Sequence, residues 1–243
     1  MRVNWFDTLD STNKYCELLD LDKVEEFAVY CTRSQTAGVG QRGNHWASAP
    51  GENLTFSMVL KPVFLAADEQ FRLTKAASLA VVDFLTTLCL TEQPIYIKWP
   101  NDIYVSGSKI CGMLLSSHLA GGSISSCIVG VGLNVNQLTF PEWVPNPTSL
   151  AILSGCRWEL EPLLHQLLDC IFKRYQQLRS GDIDTINNQY LAKLMRLGTM
   201  ADYLYHDRIV HAAIEGVDRF GHLLLITDGG ERLSCQIKEV SFL

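Results

Sequence analysis

Lys98-Trp99-Pro100-Asn101-Asp102 follows a short apolar strand, Ile95 to Ile97, and its reading decides how the rest of the chain is understood. One cation, one indole, one amide and one carboxylate surround a proline, whose ring holds φ at about −65°. Folding gains little from a lysine and an aspartate set this close to a tryptophan and a proline. A site that handles an anionic substrate could use them. The same segment also reads as a plain turn between two strands, with Asn101-Asp102 as the turn residues.

The bulk properties narrow the field. With 243 residues, 47% of them hydrophobic, the chain can bury a sizeable core as one large domain or one medium and one small. Mean hydropathy is +0.09, yet no apolar run is long enough to span a bilayer, so no membrane partner is expected. The opening Met1 to Asp7 has neither the apolar run nor the small-residue cleavage site of a signal peptide, and a cytoplasmic location is expected. A net charge of −6 and a pI of 5.5 argue against a general nucleic-acid binder, because phosphate contact favours basic surfaces. None of the eight cysteines forms a Cys-x-x-Cys pair and most lie in apolar stretches, which predicts reduced core thiols. The histidines lack metal-ligand spacing; His206, His211 and His222 are expected on the surface or in turns, and no residue is assigned to a metal.

Periodicity gives the elements. Ser11-Thr12-Asn13 precedes Tyr15, Leu18 and Leu19 at helical spacing, with Ser11 or Thr12 suited to the N-cap. Phe27 to Thr32 reads as a strand. Arg33 to Glu52 is long, glycine-rich and aperiodic, and such loops in a compact domain are usually functional. Leu54, Phe56, Met58 and Leu60 alternate with Thr55, Ser57 and Val59, which predicts a half-buried strand. Glu69 to Leu90 is predicted as a helix with a broad apolar face. Ile103 to Val105 and Lys109 to His118 flank Ser106-Gly107-Ser108 as a hairpin, and Ser123 to Val135 pairs next, after Ala120-Gly121-Gly122. Pro141, Pro145 and Pro147 punctuate a loop. Leu163 to Tyr175 carries an amphipathic helical pattern with Pro162 in its first turn, and Asp182 to Met195 is another helix. After Gly198 the texture changes: short strands are predicted near 208–217, 222–227 and 232–242. That all-β unit is too small to fold comfortably alone and should dock on the rest. The expected class is α+β, a mixed or antiparallel sheet packed with helices, divided into residues 1–195 and 196–243.

Gly38-Val39-Gly40-Gln41-Arg42-Gly43 matches the dinucleotide fingerprint G-x-G-x-x-G by letter and fails it by context. Asn44 to Gly51, with Pro50, cannot continue a helix, and Val63 stands near the place of the acidic residue expected about 20 positions on. A glycine loop can instead point backbone N–H groups at a carboxylate or phosphate. Arg42 adds a permanently charged fork and Trp46 a flat face, although a mobile surface loop fits these residues too.

Taken together, Ser11-Thr12-Asn13, Gln35-Thr36-Ala37-Gly38, Gly40-Gln41-Arg42-Gly43-Asn44 with Trp46, Lys98 to Asp102, Lys109-Ile110-Cys111-Gly112 and Gly130-Val131-Gly132-Leu133-Asn134 resemble, in order and spacing, the biotin–protein ligases. The resemblance covers essentially the whole chain. It implies a biotin/lipoate ligase-like catalytic domain with a small C-terminal SH3-like β-barrel. It also implies synthesis of biotinyl-5′-AMP from biotin and MgATP, then transfer of biotin to one lysine of a biotin carboxyl carrier domain. No tightly bound cofactor is implied, and a homodimer is allowed. The sequence starts only a few residues before Ser11, so the type without an N-terminal DNA-binding domain is expected.

The resemblance also implies roles. Ser11, Thr12 and Gln35 would bond the ureido ring of biotin, supported by Asn13; the backbone of Gly38, Val39, Gly40 and Gln41, with Gly112, would enclose its chain and carboxylate. Arg42, Gly43 and Trp46 would meet ATP. Lys109 would stand where the biotin carboxylate meets the α-phosphate, with Lys98 sharing the task, since two anions must approach as charge grows on phosphoryl oxygens. Asn101 and Asp102 would serve nucleotide, metal or the incoming lysine, as Asp102 could accept a proton from that amine. Asn134 would contact adenine or ribose, with Gly130 and Gly132 allowing close backbone approach. One departure stands out: many family members carry arginine where this chain has Val39, so weaker retention of the acyl-adenylate is expected. Alternative readings are a lipoate or octanoate ligase or transferase, which would want a longer apolar tunnel, and a non-catalytic biotin-binding module.

Overall fold

The computed structural model describes residues 1–89 and 94–243, with Arg42 as backbone only. A seven-stranded sheet forms the larger unit, in the order β1-β2-β3-β7-β6-β5-β4. Its strands are β1 (Val3–Leu9), β2 (Val29–Gln35), β3 (Leu54–Leu60), β4 (Ile95–Lys98), β5 (Asp102–Val105), β6 (Ser108–Ala120) and β7 (Ser123–Leu133). Only β1 and β2 run parallel; every other ladder is antiparallel, so the sheet is mixed. Both hairpins at β5–β6 and β6–β7 close through two-residue turns with positive φ at each centre: Ser106 (52°) and Gly107 (77°), Gly121 (58°) and Gly122 (85°). That is the twist-matched geometry for joining neighbouring strands.

The two faces of this sheet do different jobs. Leu54, Phe56, Met58 and Leu60 of β3 join Cys127, Val129, Val131 and Leu133 of β7 in the main core. They pack under helices α2 (Phe71–Thr87), α4 (Leu160–Arg179) and α5 (Ile183–Lys193), which follow α1 (Thr12–Glu17) and the short α3 (Leu150–Ser154). On the other face, Val59 and Ile128 pack with Cys16 of α1, and Ser57 bonds Thr12 and Asn13 at its start. The strand expected to be half-buried is therefore buried at all seven positions, because α1 covers the face that alternation assigned to water. The helix expected over Glu69 to Leu90 begins at Phe71 behind a 3₁₀ turn, Ala67–Glu69; Leu90 lies outside the described residues.

The second unit is a five-stranded antiparallel sheet, ordered β11-β10-β9-β8-β12. Its strands are β8 (Met200–Tyr205), β9 (Arg208–Val217), β10 (Leu223–Thr227), β11 (Arg232–Cys235) and β12 (Val240–Phe242). The single strand expected over 232–242 breaks in two, and its halves pair on opposite edges. No ladder among the described residues joins β11 to β12, so the expected barrel is present as an open sheet. All eight cysteines are free, and burial pushes the Cys16, Cys31, Cys111 and Cys127 thiols up, which leaves them protonated and inert. Among the described residues no helix is long and apolar enough to cross a membrane, and no cluster of His, Cys, Asp or Glu could hold a metal.

Candidate active site

A cavity of about 320 Å³ opens on the α1 side of the large sheet. It is lined by Ser11, Thr12, Asn13, Gln35, Val39, Gly40, Gln41, Trp46, Lys98, Asp102, Lys109, Gly112 and Gly132, residues scattered over the sequence and brought together by the crossing of β3, β6 and β7 under α1 and the glycine loop. Thr55, Gly130, Trp99, Pro100 and, from β12, Val240, Ser241 and Phe242 add to the wall.

One end is a nest of buried polar groups. The backbone N–H of Thr12 donates to Gln35 Oε1 at 2.9 Å. Ser57 Oγ lies 2.5 Å from Asn13 Oδ1 and 2.8 Å from Thr12 Oγ1. An amide oxygen only accepts, so the single hydroxyl proton of Ser57 goes to Asn13 and Thr12 must donate to Ser57. That order leaves the Thr12 oxygen free to accept a ligand N–H. Asn13 Nδ2 donates to the Leu114 carbonyl at 3.3 Å, which ties α1 to β6. Ser11 sits at the N-cap, but its side chain makes no capping bond, so its hydroxyl is available to the cavity. Ser57 was missed in the sequence; its signal, shared with Thr55, is a hydroxyl that alternates with apolar residues on the face away from the core.

The floor is bare backbone. A Cβ on Gly130 would stand 1.9 Å from Asn13 Oδ1, and one on Gly132 would stand 2.3 Å from the ring of Trp46. A Cβ on Gly112 would meet the same indole at 2.9 Å. Trp46 therefore lies in a trough of absent side chains, its Nε1 buried with no partner among the described residues. The loop that carries it is a small hairpin: the Gly40 N–H donates to the Asn44 carbonyl at 2.7 Å, the Trp46 N–H donates to the Gly38 carbonyl at 3.0 Å, and Val39 bridges His45. Only a 3₁₀ turn, Gln41–Gly43, forms at its tip, consistent with the failed dinucleotide fingerprint. Gly38 lies behind the indole, and Gly43 lines no cavity described here. The side chain of Arg42 falls outside what the structure describes.

The other end is charged. Asp102 opens β5, directly opposite Lys98 of β4, and its carboxylate meets the Lys109 ammonium at 2.6 Å. The Lys109 Nζ also sits 5.7 Å from the Trp46 ring centre. Lys98 is held between the rings of Tyr104 (5.5 Å) and Phe242 (5.2 Å). Burial lowers its pKa below the ordinary lysine value; Asp102 opposes that shift, while Lys109 and Arg196 add to it.

A family model described as the biotin/lipoate A/B protein ligase family matches residues 5–134, more than half of the chain and the stretch that carries every residue named above except Arg196, Val240, Ser241 and Phe242. The chain belongs to this family. A biotin–[acetyl-CoA-carboxylase] ligase of Paracoccus denitrificans is 33% identical over 233 residues, covering 92% of this chain and 94% of that protein. The bifunctional ligase/repressor BirA of Bacillus subtilis is 28% identical over 229 residues, covering 93% of this chain and 70% of that protein. Among solved structures, a biotin protein ligase from Aquifex aeolicus in complex with biotin and ATP superposes with a TM-score of 0.82 at 26% identity, covering 100% of this chain and 98% of that one.

In this biotin/lipoate ligase family member a second cavity, about 750 Å³, adjoins the first and shares Trp46, Lys98, Asp102 and Lys109 with it. Its far wall is apolar: Phe140, Trp143, Val144, Pro145 and Pro147. Asn134 lines it, donating Nδ2 to the Thr148 carbonyl at 2.9 Å, while its buried Oδ1 has no partner among the described residues. Asn101 behaves differently from its expected place at the nucleotide. It is 1% exposed, lines neither cavity, and donates to the Met113 carbonyl at 2.9 Å, bracing the turn against β6.

Proposed function

We propose that this chain activates biotin with MgATP to biotinyl-5′-AMP and transfers biotin to a lysine of a biotin carboxyl carrier domain. The observation that carries the reading is that Lys98, Asp102 and Lys109 stand on a wall common to the two cavities, one polar at its end and floored by glycine, the other flat-walled and apolar. Two ligands seated there would meet at the cations. The nest of Ser11, Thr12, Asn13 and Gln35, braced by Ser57, suits a small ring with N–H donors and a carbonyl acceptor. In the first step a biotin carboxylate oxygen bonds to the α-phosphorus as the bond to pyrophosphate breaks, with Lys109 and Lys98 countering the charge that gathers on phosphoryl oxygens. The magnesium enters with ATP as part of the substrate. In the second step a neutral lysine amine attacks the acyl carbon and AMP leaves; Asp102, once Lys109 turns to the phosphate, is the nearest carboxylate to take the proton.

The test is transfer of labelled biotin to a carrier domain with ATP and Mg²⁺, beside biotin-dependent and lipoate-dependent ATP–pyrophosphate exchange. Biotin-dependent exchange and labelling are expected. Exchange with lipoate but not biotin would overturn the substrate, and no exchange with either would overturn the ligase reading. Lys109→Ala should lower the exchange rate by about a hundredfold or more, the scale of losing one transition-state charge contact.

A further inference from the structure

We infer that the carbonyl of Gly221, on the five-stranded unit, is a positioning group for the Lys98–Asp102 turn, acting through the indole of Trp99; this rests on the ligase reading of the site. Three contacts brace that turn from behind. Tyr190 of α5 donates its hydroxyl to the Pro100 carbonyl at 2.7 Å, and Asn101 donates to the Met113 carbonyl at 2.9 Å. Both of those stay within the larger unit. The third crosses to the other one: Trp99 Nε1 donates to the Gly221 carbonyl at 3.0 Å. Trp99 is 4% exposed, so no water can replace that acceptor and its loss leaves a buried donor unpaired.

The acceptor is itself held rigidly. Gly221 has φ +94°, a region a side chain rarely enters, and the space a Cβ would need is filled by the Phe71 ring, 2.3 Å away. One carboxylate organises the turn around it. Asp218 Oδ1 accepts from the backbone N–H groups of Phe220 and His222, both at 2.9 Å, and Oδ2 meets His222 Nδ1 at 3.0 Å. Phe71 from α2 and Asp218 from the second sheet thus aim one carbonyl at one indole. In front of the turn the same unit supplies Phe242, whose ring lies 5.2 Å from the Lys98 ammonium. Lys98 precedes Trp99 and Asp102 follows two residues after Pro100, so a swing of the indole displaces the cation and the carboxylate together. A displacement on the order of 1 Å at reacting groups is enough to cost about a hundredfold in rate.

The test is a double-mutant cycle in the full chain, with Trp99→Phe, which keeps the ring and removes the N–H, and Asp218→Ala, which loosens the turn far from the cavity. Biotin-dependent ATP–pyrophosphate exchange gives kcat and the biotin KM, and sites are counted by adenylate burst so that unfolded protein does not enter. Each single variant should lower kcat with the biotin KM unchanged, Trp99→Phe by about tenfold to a hundredfold. The double variant should be no slower than Trp99→Phe, since both cut the same path. Additive losses would overturn the inference. So would variants with lowered Tm but wild-type kcat per counted site, the pattern of a merely structural bond. If Asp218→Ala does not accumulate, Phe71→Leu takes its place with the same expectation. Wild-type protein inactive in exchange would overturn the ligase reading instead, a different result from either of these.

Discussion

Lys98 stands in a setting that pulls its charge two ways. Two aromatic faces attract an ammonium, yet burial, with Lys109 and Arg196 nearby, lowers its pKa against the help of Asp102. Its pKa in the folded protein is thus below that of the unfolded chain. The sign follows: below the folded pKa the penalty for the buried cation is fully present, and rising pH relieves it until the ordinary lysine value is reached. Stability on this account rises with pH over that interval. Activity should move the opposite way, because the reaction needs the cation. The alkaline limb of kcat/KM for ATP is expected earlier than an ordinary lysine would give, and Lys98→Arg, charged at every accessible pH, should shift the limb upward. An unshifted limb in that variant would assign it to another group. The same residue shows what a sequence can disclose. Lys98, Asp102 and Lys109 were legible because a cation and carboxylate beside a proline-fixed turn have no use in a core. Ser57 was not, because a hydroxyl alternating with apolar residues, as Thr55 also does, reads as an exposed position until α1 is seen to cover it.

Among the elements, the sheet floor makes the strongest demand. Gly130→Ala would put a methyl carbon 1.9 Å from Asn13 Oδ1, so the Asn13 amide must leave its place and its bonds to Ser57 and the Leu114 carbonyl. The expected cost is about 1–3 kcal/mol of stability, the range for overpacking, together with a raised biotin KM, read by thermal melting and exchange kinetics. Gly107→Ala is the control. Unlike Gly130 it is at positive φ (77°), and it faces open space, so it should cost about 1–2 kcal/mol and leave KM alone. Equal KM values in the two variants would count against the floor as a binding surface. The hairpins around β6 were readable from Ser106-Gly107 and Gly121-Gly122 because positive φ at both turn centres selects such residues. Strand β1 was not. It is an edge strand whose Asn4, Asp7 and Thr8 break the apolar pattern, and its pairing comes from the distant β2, where Val3 lies opposite Val29 and Leu9 opposite Gln35. The split of 232–242 into β11 and β12 was also hidden, since which edge each half joins depends on β8 and β10, not on local residues.

At the scale of the molecule, the two sheets share one continuous core. Tyr203, Ala212, Ile214, Leu223, Leu225, Cys235 and Val240 of the second unit belong to the same buried cluster as Phe56, Leu79 and Val131 of the first. A five-stranded sheet of this size has little core of its own. We therefore expect one thermal unfolding transition, with calorimetric and van 't Hoff enthalpies in agreement. Two resolved transitions would show that the β unit stands by itself. That dependence was legible in outline, from the small span after Gly198; the contacts that create it, through Phe71, Trp99 and Gly221, were not, because they join residues far apart in the chain.

At Gly112, Gly130 and Gly132 the large sheet is one backbone thick, with a cavity on one side and Cys111, Met113, Val129, Val131 and Leu133 on the other. Nothing cushions the floor from what lies beneath it. A methyl group added or removed under the sheet would be felt through it as a change in the cavity's contour. The ring system this enzyme accepts can thus be retuned from behind, by interior side chains that no ligand ever touches.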